Sequence, residues 1–280
     1  MQICRNAACL LSALTVWLVP VAQAQSDEAG ATAHRLMVRS GLSVQLRGFA
    51  AQIENEIKQN PAKLDGQLIA ALGAAAREAF RAELLQEDMT RRIAKKLTVA
   101  DMKTALAWLE TPLGRRITLA EELASAALDE RSLGAYLERL KATPLPGKRK
   151  GLIAELVSVT QAVRAAAATQ EAMALGVALG MDSMQPRERR VGEAELRDRL
   201  RRALPPDQVQ AALAQQLPLV YAYTYRDLAD ADLSAYAAFL KSVGGRRYHD
   251  GMSGAFIEGL GRASLQGGEL AAQRHHKTAL

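Results

Sequence analysis

The sequence predicts an all-α protein, a helical bundle built from two related multi-helix halves, and three observations carry that prediction. The chain is rich in alanine, leucine, arginine, glutamate and glutamine, whereas aromatic residues make up only 4% of the 280 positions. Straight-chain side chains lose little rotamer freedom in a helix, and no run of alternating β-branched residues signals a strand. Apolar residues recur three and four positions apart between recognisable breakers, the pattern of helices with one buried face. Finally, residues 97–117 and 228–248 lie 131 positions apart and align without a gap.

The N-terminus decides the compartment. Arg5 supplies a positive start, Cys9 to Val21 an apolar run too short to span a membrane, and Ala22, Gln23 and Ala24 a small-x-small cleavage pattern. These features predict a secretory signal peptide over residues 1–24, cut after Ala24, and a periplasmic or secreted mature chain. Cys9 precedes the apolar run, which argues against a lipoprotein site. Both cysteines, Cys4 and Cys9, leave with the signal, so the mature chain has no thiol for a disulfide, a nucleophile or a zinc cage. Loss of Arg5 lowers the formal charge from +6 to +5, with both signs interleaved along the chain. The longest later apolar run, Ala172 to Met181, has ten residues, whereas a spanning helix needs about 20.

Helical stripes follow in order. Leu42, Leu46, Phe49, Ile53 and Ile57 fall on one face of a helix that Asn60 and Pro61 end. Leu64, Leu68, Leu72, Ala76, Phe80 and Leu84 form the next stripe. Thr98 followed by Asp101 reads as a capping box, with Met102, Ala105, Leu106 and Leu109 buried behind it. Thr111 then caps a new helix. Pro112 fits its first position, where a missing N–H costs nothing, and Gly114 lets that helix approach its neighbour. Ile117, Ala120, Ala124 and Leu128 carry the stripe on, toward about Leu140. Thr143 to Gly151, rich in proline, glycine and lysine, reads as a linker. Beyond it, Gly176 and Gly180 are spaced for close helix contact, and Pro218 should kink or restart its helix. Arg187 to Arg202 interleaves acids with its arginines and reads as a solvated helix. The expected organisation is therefore a first helical repeat over 25–142, a linker at 143–151, a second repeat over 152–268 and a polar tail at 269–280.

The aligned segments share Leu97/Leu228, Asp101/Asp232, Leu109/Leu240, Gly114/Gly245, Arg115/Arg246 and Arg116/Arg247, while Trp108/Phe239 and Thr111/Ser242 keep their chemistry. These matches fall on the cap, the stripe and the corner, as a duplicated helix-to-helix corner requires. The second copy also departs from the first. Thr98 becomes Ala229, which shifts the expected cap to Asp230, and Leu113 becomes Gly244, so adjacent glycines should loosen the second corner.

Both segments resemble the signature of a bacterial family of exported helical proteins, domain of unknown function 2059. Its hallmark is an acidic helix start, an aromatic residue near the helix end, then Ser-Pro-x-Gly. The first copy carries Trp108, Thr111, Pro112 and Gly114; the second carries Phe239, Ser242 and Gly245 without the proline. The resemblance implies an envelope location and a small helical module, and it brings no activity and no catalytic residue.

Candidate sites are few. Arg115, Arg116, Arg246 and Arg247 lie near helix N-termini, where free N–H groups favour anions, so they read either as anion-binding residues or as structural partners of nearby carboxylates. Tyr221 and Tyr225 share a helix face and form a candidate aromatic surface. His34, His249, His275 and His276 are the only histidines, none at metal-helix spacing, and no serine elbow, phosphate loop or dinucleotide fingerprint occurs. No catalytic residue, metal or cofactor is therefore assigned. The expected role is a non-enzymatic envelope interaction or binding module, whose partner is another envelope protein or an anionic or apolar ligand, and not nucleic acid. The alternatives are a carrier holding a small apolar or anionic ligand between the halves and, third, a hydrolase. A carrier predicts an enclosed apolar cavity, an enzyme converging polar groups in a cleft, and a scaffold neither.

Overall fold

A computed structural model of the chain describes residues 18–59, 66–127 and 130–278. Among them it has fourteen α-helices, one 3-10 turn and no strand. They are α1 (Leu18–Arg39), α2 (Leu42–Arg47), α3 (Phe49–Gln59), α4 (Gly66–Ala79), α5 (Ala82–Lys96), α6 (Val99–Leu109) and α7 (Pro112–Ala127). There follow α8 (Glu130–Ala142), α9 (Gly147–Val159), α10 (Ala162–Ser183), α11 (Glu193–Ala203), α12 (Pro206–Thr224), α13 (Asp230–Lys241) and α14 (Val243–Thr278). Most of the signal segment, with Cys4 and Cys9, lies outside the described residues, as do Leu64 and Leu128. No single helix among the described residues is long and apolar enough to cross a membrane; α9 and α10 qualify only as a pair, across a 46° bend.

Local chemistry sets the helix starts where it was legible. Thr98 Oγ1 accepts from the Asp101 N–H at 3.1 Å, and Asp101 Oδ2 accepts from the Thr98 N–H at 3.3 Å, closing the box. Met102, Ala105, Leu106 and Leu109 are buried behind it. Several breaks differ from the expected ones. The stripe from Leu42 to Ile57 is split at Gly48 into α2 and α3, and the chain leaves α4 after Ala79, turning Phe80 inward to pack its ring 5.7 Å from that of Phe49. Leu84 is thereby left on the surface, and α4 buries Ala71, Ala75, Ala76 and Ala79 instead. Pro218 sits inside α12 without ending it, since a proline removes only one bond of a ladder that neighbouring turns maintain.

The expected linker is mostly helix. Only residues 143–146 lie outside helices, and α9 starts at Gly147. Arg149, two residues on, is buried, because its guanidinium has three acceptors at the start of α13. It donates to the carbonyls of Leu228 at 2.7 Å and Tyr225 at 2.5 Å, and to Asp230 Oδ1 at 3.0 Å. Asp230 is thereby engaged, so Ala229 takes the N-cap position of α13 with no side-chain cap. Replacing the guanidinium by an apolar stem orphans two buried carbonyls; Arg149→Met should cost about 2 kcal/mol in urea unfolding.

The two halves do not form separate bodies. One core gathers Leu36, Met37, Leu46, Met89, Ile93 and Met102 from the first half with Ala255, Leu260 and Ala263 of α14. The other gathers Ile117, Ala124 and Tyr136 of α7 and α8 with Leu156, Leu233 and Leu240 of the second half. Each core therefore needs helices from both sides of the chain. The expected polar tail is part of the first: α14 continues to Thr278, Ala271 and Ala272 are buried, and Arg274 pairs with Glu78 at 2.5 Å. Gly176 and Gly180 meet α14 at backbone distance, since a Cβ on Gly180 would lie 2.1 Å from the Leu265 carbonyl oxygen. Along Arg187 to Arg202, the acids answer the arginines in exposed pairs such as Arg197 with Glu193 and Arg199 with Glu195.

Candidate functional site: a pocket where the two corners meet

The corners after α6 and α13 are built alike. Thr111 Oγ1 accepts from the Gly114 N–H at 3.0 Å, and Ser242 Oγ accepts from the Gly245 N–H at 3.0 Å. A Cβ on Gly114 would sit 2.3 Å from the Trp108 carbonyl oxygen, and one on Gly245 would sit 2.0 Å from that of Phe239. The second corner is thus as tight as the first. Gly244 does not loosen it, because Thr104 packs over it, with Cγ2 2.8 Å from where a Cβ would be.

The corners also face each other. Trp108 and Phe239, one offset apart, stack with ring centroids 4.1 Å apart and 7° between planes. Arg116 Nη2 pairs with Asp232 at 2.7 Å, and Arg247 Nη1 pairs with Asp101 at 2.9 Å. These two pairs exchange places under the 131-residue offset. Asp101 is held below the usual carboxylate range by its Thr98 hydrogen bond first and by Arg247 next. Arg116 and Arg247 join the corners, and Arg246 donates to the Lys241 carbonyl. Arg115 is exposed and adds a weak attraction for Glu110, whose carboxyl is lowered mainly by Arg35. Because the arginine of each cross-corner pair stays largely in solvent, a double-mutant cycle on Arg116 and Asp232 should give a coupling below about 1 kcal/mol.

The stack continues into a pocket. Tyr236 of α13 lies against the other side of the arrangement, 5.3 Å from Trp108, and turns its hydroxyl toward Glu121 of α7. Glu121 Oε1 accepts from the hydroxyls of Tyr225 at 2.7 Å and Tyr236 at 3.2 Å. Together with Tyr221, Tyr248 and His249 these residues line an open pocket of about 260 Å³. Thr160, Ser253, Met252 and Phe256 complete the lining that the chemistry draws on. Glu121 keeps a partial opening to solvent, yet its carboxyl is enclosed by aromatic rings. Desolvation raises it to about 7 against the opposing help of the two tyrosine hydroxyls, and Glu122 beside it adds repulsion. Burial likewise pushes Tyr221 up to about 12 and Tyr225, Tyr236 and Tyr248 well above the ordinary phenol value, so all four are donors. His249 is lowered by burial, with Asp250 at 3.8 Å opposing, and is neutral at pH 7.

Tyr221 and Tyr225 thus line this pocket rather than an exposed aromatic surface. Tyr225 is 5% exposed, its ring stands at 78° to that of Tyr221, and the Tyr221 hydroxyl lies 2.9 Å from Thr160 Oγ1. Glu121 escaped the sequence reading. One signal marks it: it lies four residues after Ile117 and three before Ala124, on the buried stripe of α7, where a carboxyl has no packing reason to be. Among the described residues no cluster of three His, Cys, Asp or Glu side chains is placed to hold a metal ion.

No curated protein and no solved structure matches the chain. Residues 83–141, which hold the whole of α6 and α7 and the first corner between them, match the model of a family described as uncharacterized protein conserved in bacteria, domain of unknown function 2059.

Proposed function

We propose that the chain is an exported, non-enzymatic binding module of the bacterial envelope, assembled from two divergent copies of the family's helical corner, with its site in the pocket between them. The observation that carries this reading is the convergence of Glu121 and four tyrosines on one open pocket beside the paired corners. Divergence fits the same place: Glu121 of the first copy corresponds by the 131-residue offset to Met252 of the second, and both line the pocket. Pocket chemistry narrows the expected ligands. No lysine or arginine lines it, which disfavours an anion, and its polar wall and open mouth disfavour a purely apolar guest.

Export is supported by the N-terminal sequence, and cleavage after Ala24 is compatible with the fold. It would remove the first turns of α1, whereas the buried part of that helix described here begins at Ala33. Native mass spectrometry of protein isolated from the envelope fraction of a bacterial host tests both parts. The expected result is a chain lacking residues 1–24 and a retained small molecule, which Ser253→Phe, filling the pocket, removes. A full-length cytoplasmic chain, or an adduct indifferent to that substitution, contradicts the proposal.

A second reading, a hydrolase, draws on the same convergence of polar groups, the feature expected of an enzyme, and on the Glu121 carboxyl, because a group near 7 suits general acid–base work. It is the weaker one: the only protein groups bonded to that carboxyl among the described residues are two tyrosine hydroxyls held as donors, and His249 pairs with Asp250.

A further inference from the structure

Resting on the reading of this pocket as a binding site, we propose that its ligand is a small organic cation, whose charge is the missing partner of Glu121. Two other half-buried carboxylates of the described residues meet a cation: Glu54 meets Lys58 and Arg77, and Asp101 meets Arg247. Glu121, set among tyrosine rings, meets none among the described residues. The groups facing it are the Tyr221 and Tyr225 side chains from α12, Tyr236 from α13, Tyr248 and His249 from α14, and Glu122 on its own helix. Asp250 lies next to His249 and adds another negative charge nearby. The α1–α2 turn and α2 contribute only the uncharged Ser40, Leu42 and Gln45.

Both tyrosine donors serve Oε1. Oε2 has no protein donor among the described residues, so a ligand N–H or an alkylammonium group can lie against it. The walls suit a cation as well. Tyr225 stands nearly perpendicular to both Tyr221 and Tyr236, at 78° and 73°, which makes a corner of ring faces and edges around the carboxyl. Aromatic faces attract cations, most strongly where water is excluded, and a cage of rings with one carboxylate is the chemistry by which alkylammonium groups are recognised. An ionised Glu121 is costly in the empty pocket. A bound cation relieves that cost, so binding is linked to release of the Glu121 proton.

Choline, its neutral isostere 3,3-dimethylbutan-1-ol and the anion 3,3-dimethylbutyrate test this by calorimetric titration of the mature chain at pH 8 and pH 5.5. Choline is expected to bind at least about tenfold more tightly than the alcohol at pH 8, and to weaken at least about tenfold at pH 5.5, where the carboxyl is protonated. Glu121→Gln keeps the shape and should lose the preference for choline over the alcohol; its cooperative melting at both pH values shows that it is folded. If the alcohol binds as well as choline, or the Gln variant retains the preference, the pocket reading survives and the cation is wrong. Tightest binding of the anion has the same consequence. If none of the three binds and the isolated protein retains no adduct, both readings fall together.

Discussion

Gly245→Ala should destabilise the protein by more than about 3 kcal/mol, the upper end of what overpacking costs, although alanine is the better helix former. The added Cβ would lie 2.0 Å from the Phe239 carbonyl oxygen and 2.9 Å from the Leu240 Cα. Neither atom belongs to a flexible side chain, so α13 and α14 must separate to admit it. That separation strains the Trp108–Phe239 stack and moves Tyr236 away from Glu121. Gly114→Ala, with its Cβ 2.3 Å from the Trp108 carbonyl oxygen, should cost a comparable amount. Because the two corners touch, the double variant should depart from additivity. Gly134 in α8 provides the control: nothing lies within 4 Å of its Cβ position, so Gly134→Ala should gain up to about 1 kcal/mol from helix propensity alone. Urea midpoints of the three variants decide the matter, and equal stability of Gly245→Ala and Gly134→Ala would show that the corner tolerates a side chain.

That contrast explains which parts of the fold were legible. Capping at Thr98, Thr111 and Ser242 is decided within four residues, so sequence alone located the starts of α6, α7 and α14. The all-helical class followed from composition and period for the same local reason. Breaks at Gly48 and after Ala79 were not legible, because both stripes run on through them in phase, and packing of Phe80 against Phe49 decides the second. The interleaving of the halves was hidden for a different reason. Periodicity shows that α14 has a buried face but not whose core that face enters, and it enters the core of α1, α5 and α6. Arg149 and the last turns of α14 were misread as linker and tail because charge and glycine suggest exposure when acceptors and neighbours are unknown.

At the site the same division holds. Tyr221 and Tyr225 were legible as neighbours, since a spacing of four fixes a shared face, and their rings do meet. The direction of that face is a tertiary fact, and it points into the molecule, onto Glu121 more than a hundred residues earlier. Arg116 and Arg247 were visible as matching positions, while their carboxylate partners at the opposite corner were not, because an exchange across two corners has no local trace. In the sequence Glu121 stands beside Glu122, and nothing adjacent sets it apart. Only its phase on the α7 stripe distinguishes it, and that phase gains meaning once the stripe is known to face the tyrosines.

Glu121→Gln should make the protein more stable at pH 8, by up to about 3 kcal/mol, and leave it near parity at pH 4. The sign follows from where the proton is held. In the unfolded chain the carboxyl titrates at its ordinary value of 4.5; in the folded chain burial raises it to about 7. Below the lower value both states are protonated and the group contributes nothing to the pH dependence. Between the two values the unfolded chain releases its proton while the folded chain keeps it, so folding stability falls as pH rises. Above 7 the loss is complete and constant, because an enclosed carboxylate without a protein cation persists in the fold. Glutamine retains an oxygen to accept from Tyr225 and Tyr236 and has no charge to desolvate, so its stability lacks this decline. Comparing the variant with the wild type removes the common contributions of His249 and of the paired acids Glu54, Asp101, Glu110 and Glu258, all of which titrate in both proteins. Urea unfolding at half-unit steps from pH 4 to pH 8 gives the difference curve. A flat difference, or a variant weaker at pH 8, would mean that the carboxyl is hydrated or paired and that the pocket has no uncompensated charge to offer a ligand. A rise centred between 4.5 and 7 would instead measure the free energy that a bound cation can recover.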